Sequence, residues 1–193
     1  MSDEIGESLV NFVKYSLKGM SKNFINLSKL KFDEVNEELK KQLIEQKIQE
    51  RPFIYEFYHQ FRKYWSLEAM KKVFGTLAYI QFHVNKKLQK ISKIEQIPDF
   101  LINEADSEKN IAVINLIMAN RKEEVKRDFD KLVEFHKKLN YTYLIEIIIG
   151  NEKEIEETVK YIENLNKSEG TEIIIVQYDY KHKKEDSFRI TYS

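Results

Sequence analysis

Apolar residues near the start of the chain recur at the spacing of one helix face. They predict a first helix that ends near Gly19, with an inner face made of Ile5, Leu9, Phe12, Val13 and Leu17. A second apolar stripe predicts a helix over residues 33–50. Pro52 is well placed in the first turn of a third helix, over about residues 53–73, which is rich in aromatic side chains.

The pattern changes near residue 76, where short runs of β-branched and aromatic residues begin to alternate with helical stripes. The stripes predict helices over residues 121–139 and 152–166. The runs predict strands over residues 77–84, 98–104, 111–118, 143–149, 172–178 and 188–192, with a charged turn at 179–186. Strands followed by helix, strand, helix and strand predict an α/β fold with a central mixed sheet flanked by helices.

We divide the chain into N-terminal helices, residues 1–75, and an α/β core, residues 76–193. The third helix carries so many aromatic residues that it is unsuited to standing alone. We therefore expect the early helices to pack on one face of the sheet rather than to form a separate domain. Most of the aromatic residues are interpreted as core, and the candidates for an exposed edge are Tyr58, His59 and Arg62.

Distinct sequence features follow one another in a set order in the middle of the chain. They are the aromatic helix, a strand with Gln81 and His83, a second strand opened by Pro98-Asp99, and an apolar third strand. That order, completed by the charged helix that begins at Arg121, resembles the PD-(D/E)XK nucleases over about residues 51–149. The resemblance implies a restriction-endonuclease-like core with an N-terminal helical extension.

In these nucleases, carboxylates from neighbouring strands hold Mg²⁺ or Mn²⁺ against the scissile phosphate, and a lysine assists the attacking water. The resemblance implies that Asp99 is a metal ligand. The acid of the acid-x-lysine motif is replaced here by Asn115, and the lysine by Ile117. Asn115 still offers a carbonyl oxygen. His83 stands where some relatives have a carboxylate, and as a candidate ligand it suits Mn²⁺ better than Mg²⁺.

These departures leave three hypotheses open. The first is a nuclease-fold protein with a degraded site, noncatalytic, that binds nucleic acid or a protein partner. The second is a Mg²⁺- or Mn²⁺-dependent endonuclease in which Asp99 and Asn115 are joined by groups from residues 121–127, with Glu123 and Lys126 as the candidates. The third is a structural or oligomerisation module. We expect a cofactor, Mg²⁺ or Mn²⁺, only if the site is active.

The formal net charge is zero, with 32 Lys and Arg residues against 32 Asp and Glu residues. No global positive field therefore attracts the chain to nucleic acid, and any such binding depends on local patches. The candidates for phosphate contacts flank the cleft that the resemblance implies, and they are Arg62, Lys86, Lys87, Arg121 and Lys122.

The chain of 193 residues has no cysteine, which excludes disulfides and thiolate metal sites. Its acidic and polar N-terminus lacks the layout of a signal peptide. No apolar run approaches the roughly 18–20 residues that span a bilayer. We therefore expect a soluble, cytoplasmic protein without a membrane partner, and its oligomeric state, including a homo-oligomer, stays open.

Overall fold

The structure is a computed structural model that describes residues 2–21, 50–65, 78–82, 98–104 and 109–193. Its helices are α1 (Ser2–Gly19), α2 (Glu50–Tyr64), α3 (Val125–Leu139) and α4 (Glu152–Leu165). Its strands are β1 (Ala78–Phe82), β2 (Phe100–Glu104), β3 (Asn110–Met118), β4 (Tyr143–Gly150), β5 (Thr171–Asp179) and β6 (Lys184–Tyr192). A 3₁₀ helix, Ala119–Glu124, joins β3 to α3.

The strands form one six-stranded sheet in the order of the sequence, β1-β2-β3-β4-β5-β6. The first three strands are mutually antiparallel. β3, β4 and β5 run parallel, because α3 and α4 carry the chain back along the sheet between them. β6 returns antiparallel to β5. The predicted α/β fold, with a mixed sheet flanked by helices, is therefore confirmed.

Helices cover both faces of this sheet. α1 and α2 pack on one face, where Leu17 and Phe57 are fully buried and the Phe57 ring lies 5.3 Å from that of Phe100 on β2. α3 and α4 cover the other face, where Phe129 and Ile148 are fully buried. The continuous apolar run in β4 follows from this arrangement, since a strand covered on both faces has no side that favours polar residues.

One predicted helix is described only in part, and another begins later than the sequence predicts. α2 ends at Tyr64, and residues 66–73 of the predicted helix lie outside the described residues. The helix predicted from residue 121 begins instead at Val125, because Arg121 has a non-helical φ of −118° and ψ of 36°. The 3₁₀ segment before it is fixed from outside, since the Thr158 hydroxyl donates a hydrogen bond to the Ala119 carbonyl at 2.9 Å.

The charged turn predicted over residues 179–186 is shorter in the structure. β6 begins at Lys184, after a tight turn in which Lys183 has a φ of 54°. The predicted helix over residues 33–50 lies outside the described ranges, apart from Glu50, which begins α2. Among the helices that the structure describes, none is long and apolar enough to cross a membrane.

The end of β4 meets the start of the 3₁₀ helix at close range. A Cβ atom added to Gly150 would lie 2.6 Å from the Ala119 Cβ and 3.1 Å from the Glu154 Oε2. Glu154 is itself fixed, because its backbone N–H donates to Asn151 Oδ1 at 3.1 Å while its Oε2 accepts from the Asn151 backbone N–H at 3.0 Å. This reciprocal capping of α4 leaves no room for a larger residue at position 150.

We expect Gly150→Ala to lower the free energy of unfolding by about 1–3 kcal/mol, the usual cost of overpacking. Urea denaturation followed by circular dichroism measures this change. Gly19→Ala is the matched control, because the nearest atom there is the Gln60 Oε1 at 2.8 Å, the end of a flexible side chain. An equal loss in both variants would contradict the close approach of β4 to the 3₁₀ helix.

Candidate functional site

Asp99 lies immediately before β2 and is half-buried, following the buried Pro98. Its Oδ2 accepts a hydrogen bond from the backbone N–H of Leu116 on β3 at 2.8 Å. The last backbone pair of the two strands joins Phe100 to Ile114. The Asp99 side chain therefore extends the pairing of β2 with β3 beyond the point where the backbone ladder stops.

The other two motif positions lie inside the core. Asn115, in the middle of β3, is 1 % exposed, and its Nδ2 donates to the backbone carbonyl of Asp128 on α3 at 3.5 Å, the upper limit for such a bond. Asn115 Oδ1 has no hydrogen-bond donor among the described residues. Ile117 is buried in the apolar layer under α3, together with Val125. A lysine at position 117 would therefore place its amine in apolar surroundings.

Charged side chains that the sequence motif does not single out surround Asn115. Glu146 is its paired residue on β4. Asp128 and Lys131 of α3 form an ion pair of 2.9 Å, and both charges act on Glu146, as does the charge of Asp99. These five residues, which we call the polar cluster, lie on the face of the sheet that α3 covers.

Glu146 is the most deeply buried member of the polar cluster. Its side chain is 0 % exposed, and neither carboxyl oxygen has a hydrogen-bond partner of normal geometry among the described residues. Burial raises the pKa of Glu146 well above its ordinary value, and the negative charge of Asp128 raises it further. The positive charge of Lys131 lowers the pKa of Glu146, and the negative charge of Asp99 raises it. The hydrogen bond from the Asn115 amide also lowers the pKa of Glu146. Together these effects raise the pKa of Glu146, which favours the neutral acid form of its side chain.

The candidates from the segment after β3 occupy a different surface. Glu123 and Lys126 are exposed. Of the charged side chains on α3, Asp128 and Lys131 are the ones that the structure brings to the sheet, where both are largely buried. An acid and a lysine from α3 do therefore approach Asn115, but they come from positions beyond residues 121–127.

The basic candidates Arg121 and Lys122 both have acidic neighbours. Arg121 Nε donates to Glu124 Oε1 at 2.8 Å, and Arg127 also donates to Glu124. Burial acts to raise the pKa of Glu124, but the hydrogen bonds from the two arginines outweigh it, so the pKa is lowered. Lys122 Nζ lies 3.4 Å from Glu157 Oε2 on α4. Arg121 is therefore held by Glu124, whereas the contact of Lys122 with Glu157 is exposed and weak.

Arg62 is exposed on α2, with its guanidinium carbon 5.9 Å from the centre of the Tyr58 ring. It lies on the opposite side of the sheet from the polar cluster, because α2 and α3 cover different faces. The remaining candidates of the sequence lie outside the described residues, and they are His83, Lys86 and Lys87.

A cleft of about 170 Å³ lies between the start of α4 and the β5–β6 hairpin. Nothing in the sequence pattern indicates it, because its walls come from separate elements. Most of its charged side chains are carboxylates, namely Glu152, Glu156, Asp179, Glu185 and Asp186. This excess of negative charge repels phosphate groups, so the cleft is unsuited to nucleic acid.

Within the described ranges, no group of three or more His, Cys, Asp or Glu side chains is placed to hold a metal ion. Comparisons of the chain with family models, with curated proteins and with solved structures give no match. The polar cluster is therefore interpreted from its own geometry and chemistry.

The hydrogen bond from Leu116 gives Asp99 a structural role that can be measured. We expect Asp99→Ala to lower the free energy of unfolding by about 1–3 kcal/mol, because a buried N–H loses its acceptor. Asp99→Asn keeps an acceptor oxygen in the same place, and we expect a smaller loss. Urea denaturation of both variants tests this, and equal stability of the wild type and Asp99→Ala would contradict the role of Asp99 in joining β2 to β3.

Proposed function

We propose that this chain is a noncatalytic protein on a nuclease-like scaffold and that it acts by binding a partner. The observation that carries the proposal is the chemical state of the polar cluster. Asn115 is uncharged, Ile117 belongs to the core, and Glu146 is fully buried with its pKa raised. A metal-dependent nuclease instead needs ionised carboxylates and a cationic group that reach the phosphate.

The nuclease-like scaffold is supported by the order of the elements. An antiparallel set of β1, β2 and β3 is followed by α3 and by β4, parallel to β3. Pro98 and Asp99 lead into β2, and the Asp99 side chain bonds to the residue that follows Asn115 on β3. The two motif positions that the resemblance relates are thus close together, with Asp99 immediately before β2 and Asn115 on the adjacent strand β3.

We take the partner to be a protein rather than a nucleic acid. Arg121 is paired with Glu124 and Lys122 lies 3.4 Å from Glu157, so an acidic side chain stands beside each of these candidate phosphate contacts. Exposed tyrosines occur on the outer side of α1 and α2, where Tyr15 is 57 % exposed and its ring lies 6.3 Å from that of Tyr64. Lys63 Nζ lies 6.0 Å from the Tyr64 ring. Tyrosine is enriched at the centres of protein interfaces.

The competing hypothesis is a Mg²⁺- or Mn²⁺-dependent endonuclease. It draws support from Asp128 and Lys131, which bring an acid and a lysine from α3 to the cluster that contains Asp99. The same pair also argues against it, because the 2.9 Å contact engages the lysine with a carboxylate inside the protein. Catalysis would require that contact to open when a substrate binds.

A cleavage assay separates these two hypotheses. We expect plasmid and single-stranded DNA to remain intact with the wild type in the presence of Mg²⁺ or Mn²⁺, at the level seen with Asp99→Asn. Asp99→Asn is the control because it removes the charge that a metal ligand needs while it keeps the hydrogen-bond acceptor for Leu116. Metal-dependent cleavage by the wild type that is lost in Asp99→Asn would establish the endonuclease instead.

A salt titration separates a protein partner from a nucleic acid partner. We expect labelled single- and double-stranded oligonucleotides to show no tight binding at low salt and no effect of Arg62→Ala, when fluorescence anisotropy is measured from about 50 to 200 mM salt. Binding that weakens steeply with salt, and that Arg62→Ala reduces, would assign the exposed side of α2 to nucleic acid. Glu163→Gln, an exposed change on α4, is the control for nonspecific effects.

A further inference from the structure

Glu146 and Asn115 lie side by side on the face of the sheet that α3 covers. They are paired residues of parallel strands, so their side chains leave the sheet on the same face. Their neighbours on that face, Ile117 on β3 and Ile148 on β4, are buried. On the other side of β4 the residue paired with Glu146 is Ile175 of β5, which is also buried. Neither polar side chain has access to solvent.

The hydrogen bonds of the Asn115 amide define what its neighbour must supply. Its Nδ2 is directed at the backbone carbonyl of Asp128, which links β3 to α3. Its Oδ1 is then left as an acceptor without a donor. A carboxylate has no hydrogen to donate, whereas a protonated carboxyl group carries one O–H. With the amide in this orientation, the neutral acid form of Glu146 matches the unfilled acceptor Oδ1, whereas an ionised Glu146 could only accept from the Asn115 N–H.

Two anions act on Glu146 from neighbouring parts of the chain. Asp99, immediately before β2, and Asp128 on α3 both repel an added negative charge, whereas Lys131 on α3 attracts one. The one cation of the polar cluster, Lys131, is already paired with Asp128 at 2.9 Å. An ionised Glu146 would therefore be a second or third anion around a cation that is already shared.

We propose that Glu146 is a neutral carboxylic acid in the folded protein, that it donates a hydrogen bond to Asn115 Oδ1, and that this bond makes the attachment of α3 to the sheet sensitive to pH. The bond completes a chain from β4 through Asn115 to the backbone of Asp128 on α3. Loss of the proton breaks its first link and leaves a buried charge beside Asp128. The proposed function draws on the same buried Glu146, but the measurements below report on the proton of Glu146 and not on cleavage or on binding of a partner.

The direction of the pH effect follows from proton linkage. The folded protein holds the Glu146 proton to a higher pH than the unfolded chain does, where an ordinary glutamate has a pKa of about 4.3. Below that pH both states are protonated, and the contribution to stability is fully present. It is lost progressively as the pH rises from there through the raised pKa of the folded state. Alkaline conditions therefore weaken the packing of α3 on β4.

Urea denaturation at a series of pH values from about 5 to 9 tests this prediction. We expect the urea midpoint of the wild type to fall as the pH rises. Glu146→Gln keeps the shape and an N–H donor for Asn115 but cannot ionise, so its midpoint should change less with pH and exceed that of the wild type at the alkaline end. The control Glu163→Gln changes an exposed carboxylate on α4 and should follow the wild type.

Infrared spectroscopy of the folded protein gives an independent readout. The carbonyl stretching band of a protonated carboxylic acid should be present at neutral pH in the wild type and in Glu163→Gln. It should be absent from Glu146→Gln and should disappear from the wild type as the pH rises. If Glu146→Gln does not fold, the presence of the acid band in the wild type at neutral pH and its loss as the pH rises still test whether a buried carboxyl group is protonated.

Three results would overturn the proposal. One is the absence of the acid band from the wild type at neutral pH. Another is the same dependence of the midpoint on pH in the wild type and in Glu146→Gln. The third is stabilisation of the wild type, but not of Glu146→Gln, by added Mg²⁺ or Mn²⁺, which would mean that Glu146 is an ionised ligand of a cation.

Discussion

The pairing of β3 with β4, covered by helices on both faces, is the constraint on which the rest of the structure depends. Strands in this position expose no row of side chains, so any polar group on them must find its partners within the protein. Asn115 and Glu146 are the paired residues where this demand is greatest. α3 supplies partners for both residues: the backbone carbonyl of Asp128 accepts a hydrogen bond from Asn115, and the positive charge of Lys131 acts on Glu146. The position of α3 on the sheet is therefore linked to the chemistry of these strands.

Much of the fold could be predicted because the local sequence pattern of each element indicates whether it is a helix or a strand. The apolar run of β4 predicts a strand buried on both faces, and the stripe of α3 predicts its packing. That same run contains Glu146 as its one charged residue, which was the available signal for a buried polar site. The register that sets it beside Asn115 is a tertiary property, which one sequence does not contain. The 3₁₀ start of α3 was missed for a similar reason, since Thr158 on α4 fixes it from outside.

Asp99 shows why a motif and its chemistry have to be separated. A carboxylate at the start of a strand can bind a metal ion, or it can accept the N–H of a neighbouring strand where the backbone ladder ends. The position of the carboxylate in the sequence and its spacing from the next strand are the same in both cases. In this chain the Leu116 N–H donates a hydrogen bond to Asp99 Oδ2 at 2.8 Å. Asp99 therefore has a structural role whether or not it also binds a metal ion. It joins the start of β2 to β3, a role that its place after Pro98 in the sequence does not reveal.

Carboxyl groups that converge in a protein interior repel one another unless a charge is removed, paired or protonated. The polar cluster contains each of these solutions: an amide at Asn115, the pair of Asp128 with Lys131, and the proton that we assign to Glu146. A divalent cation placed among these groups would have to displace both the lysine and the proton before it gained their carboxylates. The noncatalytic interpretation thus draws on the chemistry of the cluster as well as on the isoleucine that stands at the lysine position of the motif.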